Sequence, residues 1–142
     1  MKKILVFLFA ITLFSCKKDG FDEAPVPFEV LGSWQWISTY NGWGGDLKVD
    51  STQQYILTIL PDKKFIWCKN GDCSVGSFFY GTRLSNDKKN TFAMMSFSRL
   101  NPEIEFPFEK ITSGMIPYIN TDRISFGDYC DDCNVYIFNK KK

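Results

Sequence analysis

Residues 64–80 read KFIWCKNGDCSVGSFFY, two alternating runs joined by an Asn-Gly pair. No other stretch restricts the fold as tightly. Asn70 and Gly71 both tolerate the positive φ of a type I′ turn, whose twist matches that of paired strands, so the flanking runs are expected to form an antiparallel hairpin closed by Lys69 and Asp72. Counting outward, Cys68 falls opposite Cys73 at a non-hydrogen-bonded position, where side chains approach most closely and a disulfide's Cβ separation can be met. The same register gathers Phe65, Trp67, Phe78 and Tyr80 on one face, with Gly76 opposite Phe65. Lys64, Ile66, both cysteines, Val75 and Ser77 take the other face. The aromatic face is expected to point inward.

From residue 31 onward the chain keeps to short alternating segments separated by turn residues, and no long apolar face of helical period occurs. Strands are expected near residues 33–40, 52–60, 64–69, 73–84, 91–100, 104–111, 123–129 and 134–139, which makes an all-β chain of eight strands. Pro102, Pro107 and Pro117 remove ladder donors around the sixth, and suit an edge, a bulge or a covering loop better than a central strand.

The start of the chain carries a different message. After Met1-Lys2-Lys3 comes an apolar run over residues 4–14, which fits the charged start and apolar middle of a secretory signal and is too short to span a bilayer. The run ends in Leu13-Phe14-Ser15-Cys16, which resembles the lipobox of bacterial lipoproteins, in which that cysteine becomes the lipid-bearing first residue. The resemblance implies a signal peptide over residues 1–15, lipid attachment at Cys16, a tether over residues 16–30, and one domain over residues 31–142. Each acyl methylene buried is worth about 0.8 kcal/mol, so two or three chains hold a protein on a membrane without a spanning helix. Pro25 and Pro27 argue against regular structure in the tether. Lys17 beside the anchor resembles lipoproteins sent to the outer membrane, facing either the periplasm or the cell surface. Asp19, Asp22 and Glu23 resemble the acidic export tags of some surface lipoproteins, or are a solvated linker.

Composition narrows the chemistry. There are 17 Lys and Arg against 16 Asp and Glu, and loss of Lys2 and Lys3 with the signal leaves the chain near neutrality. No basic stripe interleaves with aromatics, so nucleic acid is not an expected partner. The chain has no histidine, which removes the Ser-His-Asp triad and His-ligated metal sites. Paired acids among Glu103, Glu105, Glu109, Asp131 and Asp132 could serve glycoside hydrolysis in a cleft, but acids in turns usually face water. Gly42, Gly44 and Gly45 follow a strand and open no helix, so they make no phosphate cradle. No enzyme activity, cofactor or metal is expected. Four cysteines remain beyond Cys16, and in an oxidising compartment they should pair. Cys68 with Cys73 and Cys130 with Cys133 is the first choice, a bridge between the two hairpins the alternative, and a four-thiolate zinc site a weaker one.

Several short motifs, taken in order, resemble the lipocalin-like domain of bacterial lipoproteins. They are Leu31-Gly32-Ser33-Trp34-Gln35-Trp36 with its Gly-x-Trp, Asn41-Gly42-Trp43-Gly44-Gly45, Tyr55-Ile56-Leu57-Thr58-Ile59, Asp62-Lys63-Lys64-Phe65, Asn70-Gly71 with Gly76-Ser77-Phe78, and Asp122-Arg123-Ile124-Ser125-Phe126 with Asp132 and Val135-Tyr136-Ile137-Phe138. The likeness covers residues 31–138. It implies an eight-stranded up-and-down antiparallel barrel in which Trp34 plugs the closed end and Lys140, on the last strand, comes near its ring. The loop around Trp43, the Asn70-Gly71 turn, the segment from Asn101 and the Cys130 to Cys133 turn then cluster at the open end. In the first functional reading a small apolar or aromatic ligand enters there and meets Trp36, Trp67, Phe78 and Tyr80, with Trp43 on the rim. In the second the barrel is filled by its own side chains, as eight strands only just allow, and the protein is a structural lipoprotein or one that binds a protein or glycan.

Overall fold

The computed structural model describes residues 21–84, 89–99, 116–127 and 133–142. Among them run β1 (Phe21–Glu23), a 3-10 turn (Phe28–Val30), β2 (Gly32–Asn41), β3 (Gly45–Lys48), β4 (Tyr55–Ile59), β5 (Lys64–Lys69), β6 (Asp72–Leu84), β7 (Thr91–Arg99), β8 (Ile116–Asn120), β9 (Arg123–Gly127) and β10 (Asn134–Lys140). No α-helix occurs among the described residues.

Every ladder is antiparallel, and eight strands follow the order β7-β6-β5-β4-β2-β10-β9-β8. The sheet curls into a half-barrel. Cα atoms of its two ends, β7 and β8, come within 8 Å, and no ladder joins these strands among the described residues. The long β6 makes the curl possible. Its first half pairs with β5, while its second half pairs with β7 on one side and β1 on the other. Gly76 stands at the changeover, where a Cβ would come within 2.4 Å of the Phe65 ring and 2.5 Å of the Ser98 carbonyl oxygen. Only a residue without a side chain lets that ring lie across the strand.

The hairpin follows its sequence. Asn70 and Gly71 have φ of 53° and 96°, Lys69 pairs with Asp72, Cys68 with Cys73 and Phe65 with Gly76. Phe65, Trp67, Phe78 and Tyr80 are all buried, whereas Val75 on the opposite face is exposed. Inward residues of the other strands, Trp34, Leu57, Ile59, Ile124, Phe126 and Phe138, complete one continuous core. A bulge where Ile137 pairs with Ser38 and Phe138 with Trp36 skips one residue of β2, which lets Trp36 and Phe138 both face inward.

Three elements depart from the expected pattern. Residues 21–30, read as part of an unstructured tether, lie against the half-barrel from Phe21 onward: β1 pairs with β6, the Ala24 amide donates to the Tyr80 carbonyl, and Val30 is completely buried. Pro25 and Pro27 end β1 without stopping the chain from docking, because docking here rests on three paired residues and on apolar contact. β3 is an additional short strand on β2, and the strand expected from residue 52 begins at Tyr55, because Asp50 accepts hydrogen bonds from the Thr52 amide and hydroxyl, each at 2.9 Å, and closes a turn. β8 contains Pro117, which sits at the end of the path with β9 as its ladder neighbour, the position where a missing N–H costs least. The expected strand over residues 104–111 lies outside the described residues, as do Cys16, Asn101, Glu103, Glu105, Glu109, Cys130, Asp131 and Asp132.

Candidate functional site

Strand directions sort the connections into two groups. The β2–β3 connection with Trp43, the Asn70-Gly71 turn and Cys133 fall at one end, and the 3-10 turn, the turn over residues 60–63, the β8–β9 turn and the last residues fall at the other. We call these the hairpin end and the Trp34 end.

At the hairpin end the inward alternation of β2, β4, β5 and β10 finishes in four aromatic side chains. Trp36 is their hub, with ring centroids 5.2 Å from Tyr55, 6.2 Å from Trp67, 6.0 Å from Tyr136 and 6.4 Å from Phe138. Tyr55 and Trp67 stack at 5.7 Å. Trp67 is fully buried beneath this layer, while Trp36, Tyr55 and Tyr136 are half-buried. The Trp36 indole donates to the Ser38 carbonyl at 2.9 Å, which fixes the ring, and the Lys69 ammonium lies 5.5 Å from the Tyr55 ring centroid. Deeper in, Phe138 contacts Phe126 at 5.7 Å, Phe126 contacts Phe97 at 5.6 Å, and Phe97 reaches Phe65 at 5.3 Å and Phe78 at 6.1 Å. All these separations are those of rings in direct contact. Two polar side chains are buried among the described residues, Ser38 and Ser74, and the Ser74 hydroxyl, opposite Trp67, has no hydrogen-bond partner among them.

The residues expected to meet a ligand are therefore divided. Trp36 and Trp67 share one cluster. Phe78 belongs to the deeper layer around Phe97. Tyr80 lies nearer the Trp34 end, where burial first, and the Glu29 carboxylate second, hold its phenol proton above the ordinary tyrosine range. Trp43 stands apart on the β2–β3 connection, 82% exposed, its amide donating to the Asn41 side chain at 2.9 Å. Tyr40 and Leu47 on the flanking strands are exposed as well. Tyr55 and Tyr136 escaped selection from sequence, although alternation back from Ile59 and Phe138 puts both on the inward face.

Cys68 and Cys73 are bonded to each other. That bond excludes a bridge between the two hairpins, and because Cys133 is also in a disulfide, three of the four thiolates that a zinc site would need are consumed. Among the described residues no group of three or more Cys, Asp or Glu side chains is placed to hold a metal ion.

The Trp34 end is built differently. Trp34 is fully buried, its indole donates to the Val30 carbonyl at 2.9 Å, and the Lys140 ammonium lies 5.2 Å from its ring centroid, the pairing that the lipocalin resemblance implies. Lys63 pairs with Glu23 across to β1, and Lys64 with Asp62 at 3.3 Å. Compared with protein-family models, curated proteins and solved structures, the chain has no match.

Proposed function

We propose that this protein is a cell-envelope lipoprotein, held by acyl chains on Cys16, whose lipocalin-like barrel is filled by its own aromatic side chains and engages a protein or glycan partner at the rim of the hairpin end. It is not an enzyme in this reading. One observation carries the choice of a filled barrel: from Tyr55 and Tyr136 down to Phe65 and Phe78, each interior ring has other rings of the same chain as its neighbours at 5.2–6.4 Å, the separation a bound aromatic ligand would otherwise occupy. The outermost apolar groups are then Trp43, Tyr40 and Leu47, a projecting patch suited to a partner larger than a small molecule. The lipobox-like Leu13-Phe14-Ser15-Cys16 supports the anchor, and the ordered set of lipocalin-like motifs supports the family.

A second reading keeps a small planar aromatic ligand, stacked at the mouth on Trp36, Tyr55 and Tyr136, and it is favoured by the partial exposure of those three rings. Native mass spectrometry of the protein from its own cells, combined with photo-crosslinking from position 43, separates the two. The filled reading expects acyl chains as the only added mass and crosslinks from position 43 that are missing from position 118. A stoichiometric extra molecule lost on Trp36→Ala would replace it with the small-ligand reading. Cys16→Ala should move the protein to the soluble fraction, and tight membrane association of that variant would remove the anchor.

A further inference from the structure

The anchor and the fold together constrain which end of the barrel meets the membrane. β1 begins at Phe21, opposite Arg83, beyond the turn that carries Lys63 and therefore at the Trp34 end. Four residues lie between Cys16 and Phe21, and the five Cα-to-Cα steps that join them reach about 18 Å when fully extended. A barrel entered at this point cannot turn its far end to the bilayer without crossing its own length.

The surface at that end has the matching chemistry. Arg123, Lys140 and Lys142 line a hollow of about 510 Å³, with Asn120, Thr121 and Asn139 supplying side-chain hydrogen-bond donors and Asp122 the one carboxylate side chain. An adjoining hollow of about 450 Å³ shares Lys140 with Phe28, Glu29 and Ile119. Lys141 is held beside them by its amide, which donates to the Ser33 carbonyl at 2.8 Å. Four cationic side chains thus stand against two carboxylate side chains, Asp122 and Glu29. Phe28 is 82% exposed among them, an apolar ring beside a cationic rim, the pairing found on surfaces that rest in the headgroup layer.

We propose that the Trp34 end is a membrane-docking surface that binds the phosphates of anionic phospholipid headgroups, so that the barrel stands on the bilayer with Trp43 and the hairpin end directed away. The distance argument rests on the Cys16 anchor proposed above, whereas the charge argument does not, and the test keeps them apart. Purified mature protein is reconstituted into phosphatidylcholine vesicles with or without phosphatidylglycerol, carrying a fluorophore on Thr121→Cys or on Trp43→Cys, and quenched by headgroup-labelled lipid. Several-fold stronger quenching at position 121 than at position 43, with a further increase on adding phosphatidylglycerol that is removed by Arg123→Glu with Lys141→Glu and Lys142→Glu, is the expected result. Equal quenching at the two positions, or a phosphatidylglycerol-dependent increase that survives the triple reversal, overturns the proposal. Intact mass decides the anchor separately. If Cys16 carries no acyl chain, flotation of the same protein with phosphatidylglycerol vesicles still decides the headgroup surface: the triple variant should partition about a hundredfold less, from roughly fivefold per basic residue near an anionic surface, and equal flotation refutes it. The three substituted side chains are exposed, so an unchanged melting curve shows that the variant is folded.

Discussion

The two ends of this half-barrel are made from the same alternation of aromatic residues, and they finish it in opposite ways. At the Trp34 end the last inward ring is roofed: the 3-10 turn lays Val30 over Trp34, an indole hydrogen bond ties the two together, and Lys140 covers the remaining face. At the hairpin end Trp36, Tyr55 and Tyr136 are half-buried, and β2 and β3 continue past them to the exposed Trp43. Two tryptophans two residues apart on one strand face the same interior, yet one is sealed and the other is reachable. What lies above each ring thus closes one end and leaves the other open, and the open end is where partner contact is proposed.

The most direct way to break this contrast is to remove each ring in turn. Trp34→Ala should cost about 3–5 kcal/mol, the range for deleting a buried large aromatic. Trp36→Ala should cost about half as much, since part of its area is already in water and its loss opens the mouth instead of an enclosed void. Chemical denaturation of both variants reads the difference, and equal losses would show that the mouth is as closed as the base.

A smaller loss tests the frame of the hairpin end. Cys68→Ser with Cys73→Ser releases a bridge that closes a short loop, with a sequence separation of 5. Chain-entropy reasoning gives about 2 kcal/mol for a loop of that size. The hairpin should keep its register, because Asn70-Gly71 and the Lys69-Asp72 pairing do not depend on the sulfurs, and amide exchange of Trp67 and Ser74 should remain slow relative to Trp43. Fast exchange throughout β5 would mean that the bridge, not the turn, sets the register.

How much of this was legible follows from which interactions are local. The Asn70-Gly71 turn dictated its own geometry, and counting from it located Cys68 against Cys73, Phe65 against Gly76 and the inward face of two strands. Tyr55 and Tyr136 lie on inward faces that alternation also reveals. Their meeting with Trp36 depends on the bulge at Phe138 and on the curl of the whole sheet, which no local pattern encodes. β1 was missed for a related reason. A three-residue strand has too few positions to show a period, and the prolines after it pointed to a free linker, while what holds it is the Ala24 amide on Tyr80 and the burial of Val30 from neighbours distant in sequence. Pro117 is compatible in sequence with an edge, a bulge or a covering loop, and the first of these holds among the described residues; no strand is expected there from sequence, because the end position that tolerates the proline exists only once β9 is beside it.

Smaller still is the contribution of the cation over Trp34. Lys140→Met keeps the aliphatic stem on the ring and removes the charge, so it should lower stability by about 0.5–1 kcal/mol, the range for a partly exposed cation–aromatic pair. Sodium chloride should leave most of the difference in place, since an ammonium held at 5.2 Å from the ring is inside the distance over which salt screens effectively. Lys69→Met at the other end, where the ammonium lies 5.5 Å from half-buried Tyr55, should cost no more than this. A larger loss there would mean that Tyr55 is more enclosed than the mouth geometry indicates.

The least of these effects appears only in alkali. Burial and the nearby Glu29 raise the Tyr80 phenol above the ordinary tyrosine value of 10.0, so the folded protein holds that proton more tightly than the unfolded chain. Its contribution to stability is therefore complete below pH 10 and is lost as pH rises through the raised folded value, because the unfolded phenol ionises first and draws the equilibrium toward itself. Tyr80→Phe removes this one titration while keeping the ring that packs in the core. The variant should match the parent in its melting temperature near neutrality, apart from a constant offset, and should lose stability less steeply above pH 10. Because Glu29 lies on the 3-10 turn that roofs Trp34, Glu29→Gln should reproduce part of the change. Parallel slopes in the parent and in Tyr80→Phe would place the phenol in water, and the roof would then be more open on its β6 side than the buried Tyr80 ring implies.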